Sequence, residues 1–145
     1  MSDKGQEKPE GEVLFYQTEE GNTKVEVRFE EDTVWMTQAS IAELYGTTPQ
    51  NITTHLKNIF DDDELNESST CKYYLQVQTE GKREIKRKLK HYNLEAILAV
   101  GYRVRSLRGT QFRRWATARL KEYLVKGFVM NDERLKDPGG WDYFD

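Results

Sequence analysis

The sequence contains a single cysteine, few histidines and no long hydrophobic run. One cysteine, Cys71, excludes an internal disulfide, and a lone cysteine is more often a small packing residue than a nucleophile. No apolar segment resembles the core of a secretory signal or reaches the roughly 18 residues of a membrane span. We therefore expect a soluble protein of the reducing cytoplasm that does not associate with a membrane.

The residue patterns of the common enzyme sites are also missing. The sequence has no nucleophile beside a base, no paired catalytic carboxylates in a cleft pattern and no glycine-rich phosphate loop. Its two histidines, His55 and His91, have no cysteine, histidine or carboxylate at a spacing suited to a metal site. We therefore expect a protein that is not an enzyme and that needs no cofactor or metal.

The acidic segment DDDELNE begins like a calcium-binding loop but does not complete the motif. Asp61, Asp63 and Glu67 have the spacing of oxygen ligands. The sixth position is Asn66 where an EF-hand loop has glycine, and the twelfth is Lys72 where it has glutamate. An acidic, solvated loop is the simpler interpretation.

The net charge of -3 hides a strong segregation of charge along the chain. Residues 72–126 contain 15 basic and 4 acidic residues, whereas the remainder contains 7 basic and 21 acidic residues. Nucleic-acid affinity follows the local positive surface rather than the charge of the whole chain. The basic segment therefore favours an anionic partner, with a solvated charged surface as the alternative.

Residues 37–60, TQASIAELYGTTPQNITTHLKNIF, have the order of features that a helix-turn-helix requires. Thr37 is suited to cap the first helix, and Gly46 is suited to the left-handed turn that ends it. Thr48 and Pro49 then provide a cap and a first residue for the second helix. The segment predicts a helix-turn-helix, with an ordinary packed helical hairpin as the alternative.

The second helix of this motif has one apolar and one polar side. The apolar stripe, expected to face the core, consists of Ile52, Leu56, Ile59 and Phe60. The polar side consists of Gln50, Asn51, Thr53, Thr54 and Lys57. Side chains of these types bond to base edges and phosphates, so we expect this helix to enter a DNA groove.

The segment before the motif is typical of β-structure. Residues 13–16 and 25–29 alternate between two faces and flank a turn at 19–22, which predicts a β-hairpin. Residues 34–36 predict a short third strand, in which Trp35 is expected to be a core residue.

Residues 72–92 predict a second hairpin around the turn at Glu80 and Gly81. One face is expected to carry Tyr73, Leu75, Val77, Ile85 and Leu89. The other is expected to carry Lys72, Tyr74, Gln76, Gln78, Lys86, Lys88 and Lys90, with Lys82 and Arg83 near the tip. A basic hairpin after a helix-turn-helix looks like the wing of a winged-helix protein, and a solvated edge ribbon is the alternative.

Two further helices are predicted at the C-terminal end. Asn93 is suited to cap the first, whose apolar side would contain Leu94, Ile97, Leu98, Gly101 and Tyr102. After a break at 108–111, a longer helix would bury Phe112, Trp115, Ala116, Leu120, Tyr123 and Leu124 and end at Gly127. Arg113 and Arg114 would face outward, towards phosphates or the carboxylates of a partner.

Three blocks of the chain resemble the bacterial virulence protein RhuM family. They are WMTQASIAELYGTTPQNITTHLKNIF, YNLEAILAVGYRVRSLRGTQFRRWATARLKEYLVKGF and NDERLKDPGGWDYFD, and the resemblance extends from about residue 13 to the end. This family is similar to phage antirepressor and KilA-N or Bro-type DNA-binding domains, which implies a DNA-binding module. Its members look longer than this chain, so we expect these residues to form an N-terminal domain.

Together these patterns predict an α+β fold with an N-terminal β-hairpin, a helix-turn-helix with a basic wing, and a C-terminal helical pair. We expect a disordered tail at 1–12, the domain at 13–128 and an extension or linker at 129–145. The expected function is duplex DNA binding in transcriptional regulation or in a phage-derived or virulence-associated system. The expected contacts are Gln50, Asn51, Thr53 and Thr54 to bases, and Lys57, Lys86, Lys88 and Arg114 to the backbone. The alternative is a protein-interaction module, an effector or toxin-antitoxin component, that docks an acidic protein through its basic face. Either hypothesis allows the chain to form a homodimer.

Overall fold

The computed structural model describes residues 11–18 and 23–130. The strands are β1 (Glu12–Gln17), β2 (Lys24–Glu30), β3 (Thr33–Thr37), β4 (Cys71–Glu80) and β5 (Arg83–Asn93). The helices are α1 (Gln38–Tyr45), α2 (Pro49–Asp61), α3 (Glu67–Thr70), α4 (Leu94–Arg103) and α5 (Arg108–Met130). The predicted α+β class is confirmed. None of the described helices is long and apolar enough to cross a bilayer.

The five strands form one antiparallel sheet in the order β1-β2-β3-β5-β4. After β3 the chain runs through α1, α2 and α3 before it enters β4 at an edge, and β5 then returns between β3 and β4. The predicted N-terminal hairpin and third strand are confirmed, although β1 begins at Glu12, inside the predicted tail. The predicted turn at 19–22, residues 1–10 of the tail and residues 131–145 of the extension lie outside the described residues.

One face of the sheet, here called the helix side, packs against α1, α4 and α5, and α2 joins the same core through α1 and α4. The strand residues buried there alternate along the chain, because successive side chains of a strand point to opposite faces. They include Val25, Val27 and Phe29 of β2. Phe112 of α5 meets Tyr16 edge to face, with ring centroids 5.3 Å apart. The aromatic residues of α5 therefore anchor that helix over β1 and β2.

The opposite face has a smaller cluster around Trp35, which is buried as predicted but lies outside the main core. Its ring meets Tyr74 edge to face at 6.1 Å, and Tyr74 meets His91 at 4.9 Å. The guanidinium of Arg28 lies 4.3 Å from the centroid of the Tyr74 ring. Burial lowers the pKa of His91 below its ordinary value.

The predicted capping residues of the helix-turn-helix have the expected geometry. Thr37 Oγ1 accepts a hydrogen bond of 3.1 Å from the Ser40 backbone N–H at the start of α1. Gly46 ends α1 in the left-handed region at φ 68°. Thr48 Oγ1 accepts a bond of 3.1 Å from the Asn51 N–H at the start of α2. Each cap satisfies a backbone donor that the helix itself leaves unpaired, which is why the two helices begin where they do.

Helix α2 packs on α1 and α4 through the predicted stripe. Its buried residues are Ile52, Leu56 and Ile59. Behind the motif, the buried Tyr45 hydroxyl donates a bond of 2.7 Å to the Ile97 carbonyl of α4. Gly101 allows this approach, because a Cβ at that position would lie 2.4 Å from Tyr45 Oη. Gly101 is buried on the apolar side of α4, as predicted.

The apolar faces of the last two helices differ in part from the prediction. The buried residues of α4 are Ala96, Ile97, Val100 and Gly101. Tyr102, predicted on the apolar side, is 83% exposed, because the face centred on Ile97 and Val100 turns position 102 outward. Leu124 of α5 is also exposed.

The limits of α5 also differ from the prediction. The helix begins at Arg108, so residues 108–111 are its first turn and not a break. The break lies just before it, where Arg105 adopts φ 55° and the Gly109 N–H bonds to Ser106 O at 3.3 Å. Gly127 lies inside α5 and does not end it. Glycine permits a helix to stop but does not force it to, and here the helix continues.

Candidate nucleic-acid interface

The polar side of α2 faces solvent. All five residues predicted there, Gln50, Asn51, Thr53, Thr54 and Lys57, are exposed. They are exposed because the stripe opposite them is the part of the helix that packs on α1 and α4. The helix therefore presents amide, hydroxyl and ammonium groups along one outer surface.

Two amide side chains help to order the start of this surface. Gln38 Nε2, at the start of α1, donates a bond of 2.8 Å to the Pro49 carbonyl and also bonds to Thr53 Oγ1. Asn51 Nδ2 donates a bond of 2.8 Å to Thr47 Oγ1. The first turn of α2 is thereby tied to α1 and to the turn between the helices.

The two threonines of this surface also bond to their own helix. Thr53 Oγ1 lies 3.0 Å from the Pro49 carbonyl, and Thr54 Oγ1 lies 3.2 Å from the Gln50 carbonyl. Such bonds to the preceding turn fix the hydroxyl rotamers and leave lone pairs of the oxygen available. Thr53 is the more engaged of the two, because Gln38 also bonds to it.

Lys57 forms an ion pair within α2. Its Nζ lies 2.7 Å from Asp61 Oδ2, one turn later, and both side chains are largely exposed. The hydrogen bond to Asp61 raises the pKa of Lys57, so the lysine remains charged. A phosphate at this position would compete with Asp61 for the ammonium.

The second hairpin exists as predicted, but the predicted distribution of its side chains is wrong. The register pairs Tyr73 with Lys90, Leu75 with Lys88 and Val77 with Lys86. Residues directly opposite each other in an antiparallel pair point to the same face. The lysines of β5 therefore lie on the same face as Tyr73, Leu75 and Val77, and not on the opposite face. The other face carries Lys72, Tyr74, Gln76, Ile85, Arg87 and Leu89 by the same register.

The turn length explains this correction. Glu80 pairs with Arg83, so Gly81 and Lys82 form a two-residue loop, with Gly81 at φ 63°. A two-residue loop places odd-numbered residues of β4 opposite even-numbered residues of β5. The predicted faces would have required a loop with an odd number of residues.

The lysine row lies on the helix side of the sheet. Tyr92 of β5 pairs with Met36 of β3, a core residue of that face. Since side chains alternate, Lys90, Lys88 and Lys86 follow Tyr92 on the same face, away from the core. At about 3.4 Å per residue, Lys86 lies roughly 20 Å from Tyr92 along the strand.

A shallow depression joins α2 to this row. It has a volume of about 240 Å³ and is lined by Gln38, Thr53, Leu56, Lys57, Phe60, Asp61, Glu67 and Tyr92. Lys90 borders it, with Nζ 5.6 Å from the Tyr92 ring centroid and 2.5 Å from Glu67 Oε2. At Tyr92 the polar side of α2 therefore adjoins Lys90, from which Lys88 and Lys86 continue the row along β5. We call the two together the α2–β5 surface.

The acidic loop beside this surface is locally paired. Arg103 of α4 contacts Asp62 at 3.0 Å and Glu64 at 2.9 Å, and these hydrogen bonds raise the pKa of its guanidinium. Asp61 and Glu67 pair with Lys57 and Lys90 of the α2–β5 surface. In the part of the chain that the structure describes, no three His, Cys, Asp or Glu residues are grouped so as to hold a metal ion.

Arg114 is exposed but does not join the other predicted residues. The neighbouring Trp115 packs 4.9 Å from Tyr16 of β1 and 5.8 Å from Phe29 of β2. Because β3 separates those strands from the second hairpin, Arg114 lies towards the opposite edge of the sheet from Lys86 and Lys88.

The sequence did not identify Gln38, Lys90 and Tyr92 as members of a site. Lys90 was predicted only as part of the basic face, and Tyr92 only as part of a strand. Gln38 has no local signal beyond its place at the start of α1. All three gain their position from contacts between α2 and β5, elements that are distant in the chain.

A comparison with known protein families finds a match. The model described as "Virulence protein RhuM family" matches residues 69–145, which is more than half of the chain. The match covers the second hairpin, α4 and α5, and leaves the helix-turn-helix outside it. No curated protein and no solved structure gives a significant match.

Proposed function

We propose that this chain, which belongs to the virulence protein RhuM family, binds duplex DNA through the α2–β5 surface. In this proposal α2 enters the major groove and the second hairpin acts as a wing along the flanking backbone. A regulator of transcription, or a component of a phage-derived or virulence-associated system, would use such a domain. The observation that carries the proposal is that the polar side of α2 and the lysine row of β5 adjoin on one side of the sheet.

The polar side of α2 would read bases. Gln50 and Asn51 lie in its first turn and are exposed, and both side chains can pair twice with adenine in the major groove. Thr53 and Thr54 would add contacts to neighbouring base edges. We therefore expect an A·T pair at the contacted step.

The lysines of β5 would bind phosphates. Lys86 and Lys88 are exposed on the helix side, whereas Lys90 is paired with Glu67. Phosphate contacts fix the position of a protein on DNA without reading its sequence. Arg114 does not belong to this surface, since α5 packs over β1 and β2.

A salt titration tests the proposal. Six cations belong to the surface or to the tip of its hairpin: Lys57, Lys82, Arg83, Lys86, Lys88 and Lys90. If all six meet phosphates, log affinity plotted against log salt has a slope of about -5 in a fluorescence-anisotropy assay. Removing two of them, in the variant Lys86→Ala/Lys88→Ala, should reduce the magnitude of that slope by about 2.

The matched control is Lys24→Ala, since Lys24 is also an exposed strand lysine but lies on β2, away from the second hairpin. It should leave the slope unchanged. A slope near zero for the unchanged protein, or equal effects of the control and the double variant, would contradict the proposed DNA surface.

A second candidate function is the docking of an acidic protein, and one observation favours it. An open groove of about 470 Å³ at the junction of α4 and α5 is bordered by Tyr102, Arg105, Leu107 and Arg113. Tyr102 and Leu107 are 83% and 81% exposed. Tyrosine and arginine beside exposed apolar surface are typical of the energetically dominant residues of protein interfaces.

Two variants separate the two functions. Asn51→Ala changes α2 and leaves the α4–α5 groove intact, whereas Arg113→Glu reverses a charge in the groove and leaves α2 intact. Loss of an acidic protein from a pull-down in Arg113→Glu, with retention in Asn51→Ala, would support protein docking. Loss of DNA binding in Asn51→Ala alone would support the DNA proposal.

A further inference from the structure

Strand β4 forms an edge of the sheet, and its outer side has little protection against pairing. Its neighbour in the sheet is β5, so the other row of β4 backbone donors and acceptors faces outward. The strand is 10 residues long, contains no proline, and has charges only near its ends, at Lys72 and Glu80. Long edge strands of this kind are templates for a further strand.

The side chains of β4 are also unusually apolar for an exposed strand. Tyr73, Leu75 and Val77 lie on the helix side and are 63%, 54% and 53% exposed. The lysines that would discourage pairing, Lys86 and Lys88, lie on the neighbouring strand β5, outside residues 91–93 that pair with β3. Of the two strands of the second hairpin, β4 is thus the apolar one and β5 the charged one.

We infer that β4 pairs with β4 of a second copy of this chain, in antiparallel orientation about a two-fold axis at Gln76. This register places Lys72 opposite Glu80 of the second copy, and the symmetry repeats that pair at the other end. Leu75 lies opposite Val77 of the second copy, again twice. The strand CKYYLQVQTE is therefore complementary to itself in both charge and apolar content.

The backbone ladder and the Leu75–Val77 pairs would carry most of the affinity. The charges would fix the register, because exposed ion pairs add little energy but like charges placed opposite each other are unfavourable. Lys72 already contacts Glu31 at 2.5 Å, and Glu80 contacts Arg87 at 3.6 Å, so both ends of β4 are held in place before pairing.

A two-fold axis perpendicular to the sheet keeps the helix sides of both copies on the same side. The lysine rows of the two β5 strands remain uncovered, since pairing uses only the outer side of β4. The dimer does not require DNA binding. If the proposed DNA function also holds, the dimer would present two α2 helices to one duplex, and a two-fold symmetric target would follow.

Cross-linking tests the register directly. In a Cys71→Ser background, Gln76→Cys places two thiols opposite each other across the axis, with Cα atoms about 4.5–5.5 Å apart, which suits a disulfide. Thr79→Cys in the same background is the control, because the two copies of position 79 would be six residues apart, or about 20 Å. We expect oxidation to link the Gln76→Cys variant and not the Thr79→Cys variant. Equal linking of both variants, or of neither, would overturn the inference.

Charge reversal tests the same register without cross-linking. Lys72→Glu or Glu80→Lys alone turns two attractive pairs into two repulsive ones and should weaken dimerisation about tenfold in analytical ultracentrifugation. The double variant restores the pairs and should dimerise nearly as well as the unchanged chain. Circular dichroism of each variant checks that the fold is retained. A protein that is monomeric at about 100 µM, or a double variant no better than the singles, would refute the dimer. If the unchanged protein is monomeric and Leu75→Ala weakens DNA binding, the exposed apolar side chains of β4 contact DNA and not a second copy.

Discussion

Replacing Gly101 with alanine should loosen the support behind the helix-turn-helix. Tyr45, the last residue of α1, reaches across to α4 and donates its buried hydroxyl to the Ile97 carbonyl at 2.7 Å. A Cβ at position 101 would lie 2.4 Å from Tyr45 Oη and 2.8 Å from Tyr45 Cζ. Neither distance is tolerable, so the tyrosine ring must move and its hydrogen bond must weaken or break.

The size of the effect follows from three contributions. Overpacking of a core site costs about 1–3 kcal/mol. Loss of the Tyr45 hydrogen bond adds only about 1 kcal/mol, because the Ile97 carbonyl belongs to a helix and does not depend on the tyrosine alone for a hydrogen-bond donor. Alanine in place of a helical glycine recovers about 1 kcal/mol of backbone entropy. The free energy of unfolding should therefore fall by about 1–3 kcal/mol.

Urea unfolding followed by tryptophan fluorescence measures this change. Gly127→Ala is the matched control: Gly127 also lies in a helix, but an added Cβ there meets nothing within 4 Å. The control should stabilise the chain by up to about 1 kcal/mol. In a Tyr45→Phe background, which removes the closest atom, Gly101→Ala should cost less. If Gly101→Ala is as harmless as Gly127→Ala, the packing of α1 on α4 described here is wrong.

Two further predictions concern a helix cap and a buried histidine. Thr48→Ala removes the acceptor for the Asn51 N–H and should lower the free energy of unfolding by about 1 kcal/mol in the same urea assay. Thr48→Ser keeps a hydroxyl acceptor and should retain most of that stability. Equal losses in the two variants would exclude the cap as the cause. Because burial lowers the pKa of His91, the unfolded chain binds more protons than the folded chain near pH 6. The free energy of unfolding should therefore be highest above about pH 6.5 and should fall as the pH drops below that value. The fall should be smaller in His91→Phe. An identical fall in both proteins would show that another group titrates.

The local parts of the fold could be predicted from the sequence. Thr37, Gly46 and Thr48 act on backbone groups within a few residues of themselves, so their residue types are sufficient to place the ends of α1 and α2. The stripe containing Ile52 and Leu56 follows from helical periodicity alone. These features are determined within one turn of the chain.

The features that depend on other elements could not be predicted in the same way. The faces of the second hairpin depend on whether its loop has two or three residues, and a difference of one residue moves Lys86 and Lys88 to the opposite face. The contact between Trp35 and Tyr74 depends on β5 lying between β3 and β4, an order that no local pattern specifies. For the same reason Arg114 had a predicted role but no predicted neighbours.

The most direct test of the DNA-binding account is selection of bound fragments from a random duplex pool, with the unchanged protein, Gln50→Ala and Asn51→Ala. We expect a recovered motif that contains an A·T step, and each variant should relax the preference at a defined position. A Thr117→Ala variant, altered at an exposed residue of α5, should recover the unchanged motif. Recovery of no motif, or of the same motif by all four proteins, would show that the outer surface of α2 does not read DNA.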